Sequence, residues 1–164
     1  MVPFEQYPRV TPFLWFDANA EEAVAFYLTV FKNSRILGTF RREIDDPSGS
    51  KGTVLTINFE IDGLHFTALN GGPFQKFNEA VSFAVRCDKQ DEIDYYWDKL
   101  ISGGGKPSQC GWLKDKFGLS WQIVPTALTK LMTGDPAKSN RVMQALLKMT
   151  KLDLPTLQRA YDGN

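Results

Sequence analysis

The sequence predicts an α+β fold in which one small module is used twice. Three observations carry this. The helical stretch Glu21-Glu22-Ala23-Val24-Ala25-Phe26-Tyr27 recurs about seventy residues later as Asp91-Glu92-Ile93-Asp94-Tyr95-Tyr96-Trp97, with Val30 and Phe31 falling on Leu100 and Ile101. In both copies an apolar strand run precedes the helix, Phe13 to Phe16 and then Val81 to Val85. Further strand patterns follow each helix, so the repeat is a strand-helix unit continued by strands, with sites expected between the halves.

The elements follow in order. Thr11 to Phe16 reads as a strand. Asn19 is placed to cap the next helix, with Glu22 three residues on as in a capping box. Ala20, Ala23, Val24, Tyr27, Val30 and Phe31 recur at helical spacing. Ser34 to Glu43 is a strand that ends in the turn-rich run Asp45 to Ser50. From Thr53 to Glu60 the pattern alternates, with Leu55, Ile57 and Phe59 on one face and Thr56, Asn58 and Glu60 on the other. Asp62-Gly63 is a hairpin turn into a strand from Leu64 to Leu69.

Asn70-Gly71-Gly72-Pro73 separates the halves. The second copy starts at Val81 to Arg86, and Asp88 is placed to cap a helix whose stripe is Ile93, Trp97, Leu100 and Ile101. Gly103-Gly104-Gly105 ends it. Gly111 to Lys114 and Leu119 to Val124 are strands joined by Asp115-Lys116-Phe117-Gly118. The remainder is helical. Asp135-Pro136 is a cap with proline at the first helical position, and Asp153 caps a last helix carrying Leu157 and Tyr161. This tail lies outside the repeat and either covers an open edge or packs on a second subunit.

Composition narrows the function classes. The chain has 164 residues, 43% of them apolar and 23% charged, which suits one globular domain with a real core. Nineteen basic residues balance nineteen acidic ones without a basic stripe, so nucleic acid is not an expected partner. No run approaches a membrane span and the N-terminus lacks a signal-peptide pattern. Two cysteines, Cys87 and Cys110, make no disulfide framework, and a reducing cytoplasmic setting is expected.

Three stretches carry a family resemblance: LWFDANAEEAVAFY at 14–27, LNGGP at 69–73 and CGWLKDKFGLSWQIVP at 110–125. They resemble the PhnB-like group, labelled "3-demethylubiquinone-9 3-methyltransferase domain", of the vicinal-oxygen-chelate (glyoxalase and bleomycin-resistance) superfamily. The tail RVMQALLKMTKLDLPTLQRAY at 141–161 is similar to tails in one branch of that group. The resemblance covers nearly the whole chain. It implies one domain of duplicated βαβββ modules, at about 9–72 and 79–125, with a helical extension over 126–164. It also implies an eight-stranded sheet curled around a cup, and a homodimer. It does not imply a settled activity, because such folds host many.

Metal-dependent members of the superfamily place His, Gln or Glu on the first and last strand of each module. Those positions fall here at about Pro12, near Asn70, near Ala80 to Ser82, and on Gln122. Proline has no ligand atom, and hydroxyls and amides are poor donors to a divalent ion, which seeks imidazole, carboxylate or thiolate. The single histidine, His65, stands beside a hairpin turn. No metal and no cofactor are therefore expected. The methyltransferase label brings S-adenosylmethionine to mind, but the first strand leads into Asp17-Ala18-Asn19-Ala20-Glu21 without the glycine-rich turn of doubly wound enzymes.

Other candidates carry a functional and a plain reading side by side. Cys110 is a nucleophile if Lys114 or Arg86 depresses its pKa, or a small buried hydrophobe. Trp112 lines the cup or belongs to the core, whereas Trp121 points the other way, toward a helix. Gln122 shares a face with Ser120 and either floors the cup or meets water on an edge. Asn70 and its glycines approach a ligand or simply link the modules. Asn58 faces the cup, and Glu60 is either an acid-base group or solvated. Arg41, Arg42, Asp45 and Asp46 read as a charged hairpin end. Three functions remain: a metal-free binder of a small, partly apolar molecule held by Trp112, Gln122, Asn70, Ser82 and Asn58; an enzyme resting on Cys110 or Glu60; or a dimeric interaction protein with a vestigial cup.

Overall fold

The computed structural model describes residues 6–164 and divides into two compact units, one running to Phe77 and one starting at Asn78. The first holds β1 (Phe13–Phe16), α1 (Ala20–Val30), β2 (Ser34–Arg41), β3 (Val54–Ile61) and β4 (Leu64–Asn70). The second holds β5 (Phe83–Cys87), α2 (Gln90–Ile101), β6 (Lys106–Pro107), β7 (Trp112–Lys114) and β8 (Ser120–Pro125), followed by α3 (Ala127–Met132), α4 (Pro136–Leu146) and α5 (Leu154–Asp162). Phe13 and Phe83 open the first strands, and Ala20 and Gln90 open the helices, so the seventy-residue offset holds in space.

Both units share one topology. The sheet orders are β1-β4-β3-β2 and β5-β8-β7-β6, each a parallel pair continued by antiparallel strands. Neither sheet closes, so the architecture is two open four-stranded sheets. The edge strand β6 escaped the sequence reading because it is only two residues long and half of it is proline, a residue tolerated on an edge. The Asp62-Gly63 hairpin has positive φ at both positions (47° and 81°), the signature of the turn that matches strand twist.

In the first unit α1 covers Ile57 and Phe59 of β3 and Phe66 and Ala68 of β4, all buried. Tyr27, Phe59 and Phe66 form a column of stacked rings with centroids 6.2 and 5.2 Å apart. In the second unit α2 lays Ile93, Trp97 and Leu100 toward Leu113, Trp121 and Ile123. The tail has its own small core of Leu131, Val142 and Leu157. It packs on its own unit, where the Cys110 and Gly111 amides donate to the Met149 and Thr150 carbonyls.

The helix caps differ from expectation in an informative way. Asn19 makes no side-chain capping bond. The cap is Asn70, fifty positions later in sequence, whose Oδ1 accepts the Ala20 amide at 2.8 Å. The Asn70 amide nitrogen donates to Glu21 at 2.7 Å and to the Val54 carbonyl at 3.1 Å. Asp88 does not cap α2 either: its amide donates to Glu92, and its carboxylate accepts from the Thr126 hydroxyl. Asp135 and Asp153 do cap α4 and α5, accepting amides of Ala137 and Lys138 and of Thr156.

Arg42 is 5% exposed. Its guanidinium donates to Asp46 (2.9 Å), Ser48 (2.7 Å), Thr53 (3.1 Å) and the carbonyls of Val54 (2.9 Å) and Asn70. The sequence read this as a charged hairpin end, whereas the charge is a buried clamp that joins the 45–53 loop to the end of β4. Asn70→Ala strips the α1 cap, takes the amide donor from Glu21 and leaves the Val54 carbonyl to Arg42 alone; it is expected to cost about 2–3 kcal/mol in urea denaturation. Asn19→Ala should stay within about 0.5 kcal/mol. The Asp46 carboxyl is held below its ordinary value of 3.8 by the Ser48 hydroxyl, the Ser48 amide and Arg42. Because its folded pKa is lowered, its contribution is complete above that ordinary value and lost as pH falls through the folded one. Asp46→Asn should flatten the acid limb of a pH-stability curve.

Candidate functional site

Each sheet gives one face to its helix, and strand alternation puts a different set of side chains on the other. In the second unit the assignment is fixed by Asp115, which is 2% exposed. Its carboxylate accepts the amides of Phe117 (2.9 Å) and Leu119 (3.1 Å) and the Trp121 indole N–H (2.9 Å). The β7–β8 turn thus folds around a buried acid and holds Trp121 on the α2 side. Gln122 must then face away from α2.

That outward face has a clear layout. Cross-strand pairing puts Trp112, Gln122 and Ala84 in one row. Gln122 Nε2 donates to Ser82 Oγ at 2.8 Å. The next row holds Lys114 and Ser120, with Lys114 paired to Glu79 and the Ser120 hydroxyl donating to the Asn78 carbonyl at 3.5 Å. The Lys114 hydrogen bond is the main cause that holds the Glu79 carboxyl below its usual range. A cavity of about 220 Å³ opens here, lined by Trp112, Lys114, Ser120, Glu79 and the 106–108 segment. The structure therefore brings together three of the residues singled out in the sequence: Trp112, Gln122 and Ser82.

The loop before Trp112 is rigidly built. Cys110 and Gly111 both have positive φ, 57° and 83°. A Cβ on Gly111 would stand 2.8 Å from the Ile123 carbonyl oxygen and 3.0 Å from Leu152, so only glycine fits. The Cys110 thiol contacts the Leu146 carbonyl at 3.6 Å. Lys114, one cation proposed to activate it, is instead paired with Glu79. The other cysteine, Cys87, is buried, and burial followed by Glu92 and Asp88 pushes its thiol up to about 12.

The first unit presents a different face. Asn58 is buried and accepts the Thr67 hydroxyl at 2.8 Å. Glu60 accepts from His65 Nε2 (3.0 Å) and from Arg35 (3.4 Å), so it is neither solvated nor alone. His65 Nδ1 is buried without a hydrogen-bond partner, and Tyr7 meets the imidazole edge-on. Asn70 lies on the α1 side, its polar atoms committed to the helix start. Gly71 admits Trp15, whose ring would lie 2.4 Å from an added Cβ and whose indole donates to the Gly72 carbonyl. The glycine pair thus accommodates the protein's own tryptophan. Sequence reasoning missed Arg42, Asp115 and the His65–Glu60 contact. The only advance signal was Asp115 three positions before a glycine in a tight turn.

Among the described residues no group of three or more His, Cys, Asp or Glu side chains is placed to hold a metal ion. No helix among them is long and apolar enough to cross a membrane.

A β-α-β-β-β module given twice, each with a parallel strand pair flanking its helix, is the vicinal-oxygen-chelate fold of the glyoxalase superfamily. Residues 8–124 match the family model described as 3-demethylubiquinone-9 3-methyltransferase, and the chain belongs to that family. It is similar to a PhnB protein from Bacillus cereus that carries the same methyltransferase description, at 32% identity over 73% of this chain and 100% of that one, with a TM-score of 0.65. A protein from Pseudomonas aeruginosa matches at 17% identity over 73% and 98% of the two chains, with a TM-score of 0.59. The fosfomycin resistance protein FosX from Listeria monocytogenes, solved with Mn(II) and sulfate, matches at 15% identity over 80% and 94%, with a TM-score of 0.51. The last two likenesses show the fold alone. A search of curated proteins returned no match.

Proposed function

We propose that this chain is a metal-independent binding module for a small, partly apolar molecule held on the face of β7 and β8 away from α2. One observation carries the reading. An aromatic ring that lines a cavity (Trp112) stands in one row with an amide (Gln122) that is hydrogen-bonded to the Ser82 hydroxyl. An apolar wall with a few convergent polar groups is what a small-molecule site requires.

The donor chemistry supports the metal-free part of this reading. Of the four positions where metal-dependent members carry ligands, Pro12 offers no donor atom. Asn70 is spent on α1, and Gln122 and Ser82 are neutral groups bonded to each other. A divalent ion needs harder or anionic donors than these. The family description also implies a methyl-donor cofactor. In doubly wound methyltransferases the cofactor lies at the turn after the first strand, but here the start of α1 is already filled by Asn70 and Glu21. The residues do not fit that cofactor in that manner, and no methyl-transfer step is derived. A homodimer, as the resemblance implies, is part of the proposal; Phe13 on the edge strand β1 is 60% exposed and suits a covered position.

The His65–Glu60 contact favours a second reading, an acid-base enzyme. A carboxylate on Nε2 leaves Nδ1 as the proton acceptor. Turnover abolished by both Glu60→Gln and His65→Asn, with ligand affinity intact, would move the assignment there.

The binding reading is tested by ligand-induced melting shifts across a panel of small planar metabolites. At least one compound should raise the melting temperature, and the shift should survive a metal chelator. Trp112→Ala should weaken its affinity about tenfold. A shift that needs added metal, or one unchanged in Trp112→Ala, defeats the proposal.

A further inference from the structure

The same face extends beyond Trp112 and Gln122 to a cation that the fold leaves unused. Arg86 pairs with Val124 in the row next to Ala84 and Gln122, and alternation puts it on the same side as Gln122. It is exposed, and among the described residues it has no hydrogen bond or ion pair. The other basic residue on these rows, Lys114, is neutralised by Glu79. Neither nearby acid is paired with it: Asp88 accepts from the hydroxyl of Thr126, at the edge of the same cavity, and Glu92 accepts the Asp88 amide. Beside Arg86 lies a second cavity of about 260 Å³, lined by Ala84, Arg86, Val124, Pro125, Thr126 and Thr129.

From this layout we infer that the molecule bound on this face carries an anionic group, a carboxylate or phosphate, received by Arg86. The inference rests on the binding reading given above and adds the charge of the ligand. A guanidinium presents a planar fork that matches two oxygens of either group, and the Thr129 hydroxyl at the same cavity adds a neutral donor. Arg86 stands one row along and two strands across from Trp112, about 10–12 Å away at ordinary strand spacings. The ligand class is therefore a small aromatic or unsaturated acid, or a phosphate monoester of similar reach. Its flat body lies against Trp112, its polar middle meets Gln122 and its acidic end meets Arg86.

Three probes separate this inference from the reading beneath it: cinnamate, phenyl phosphate and the neutral cinnamyl alcohol, each followed by backbone-amide NMR titration. At least one anion should shift the amides of Ala84, Arg86 and Thr126 saturably and bind more tightly than the alcohol. Arg86→Gln should weaken that anion about tenfold and leave the alcohol unchanged, while Arg86→Lys falls between. Saturation by carboxylate alone or phosphate alone names the acidic group. Anion affinity equal in wild type and Arg86→Gln overturns the role of Arg86, and if the alcohol still moves Trp112 and Gln122 the binding reading stands without it. No saturable shift with any probe overturns both.

Discussion

A guanidinium removed from water has to find an acceptor for nearly every N–H it carries, and the first unit is arranged around meeting that demand at Arg42. Four of its partners lie within the 46–54 segment, and the fifth is the Asn70 carbonyl. Asn70 in turn closes the first turn of α1 through its side chain. One buried charge thereby ties a surface loop, a strand end and a helix start into a single polar chain. Losing a member leaves a buried group short of a hydrogen bond, which costs more than the net worth of an ordinary one. Gly49 belongs to the same arrangement, since an added Cβ would stand 2.9 Å from the guanidinium carbon.

The repeat has diverged in how its two modules spend their polar groups. In the first, the polar residues opposite the helix are tied to one another, Asn58 with Thr67, and Glu60 with His65 and Arg35. In the second, a buried carboxylate at Asp115 organises the turn and secures Trp121, which frees the opposite face to carry Trp112, Gln122 and Arg86 beside open cavities. The family label and the fold cover both modules alike. The proposed site lies in the second.

The sequence exposed much of what is periodic or local, although the expected caps at Asn19 and Asp88 are not made. Helix stripes, the alternation of β3, the Asp62-Gly63 turn and the caps at Asp135 and Asp153 each depend on residues within a few positions of one another, and all appear in the structure. The alternation that set Trp121 against Gln122 also holds, with Trp121 bonded to the buried Asp115 on the α2 side. What stayed hidden is non-local. Asn19 is a good capping residue by type, yet Asn70, fifty positions beyond Ala20, takes its place because β4 delivers it to the helix start. Arg42 looks like any hairpin charge until the loop folds over it. Glycines 71 and 72 look ready to receive a ligand until Trp15 is seen against them.

The tail beyond residue 125 lies past the stretch that defines the family, yet its carbonyls at Met149 and Thr150 hold the two left-handed residues that launch Trp112. The loop that aims this aromatic is thus held from outside the repeated module. A change in the tail can therefore re-aim this ring without touching the duplicated scaffold.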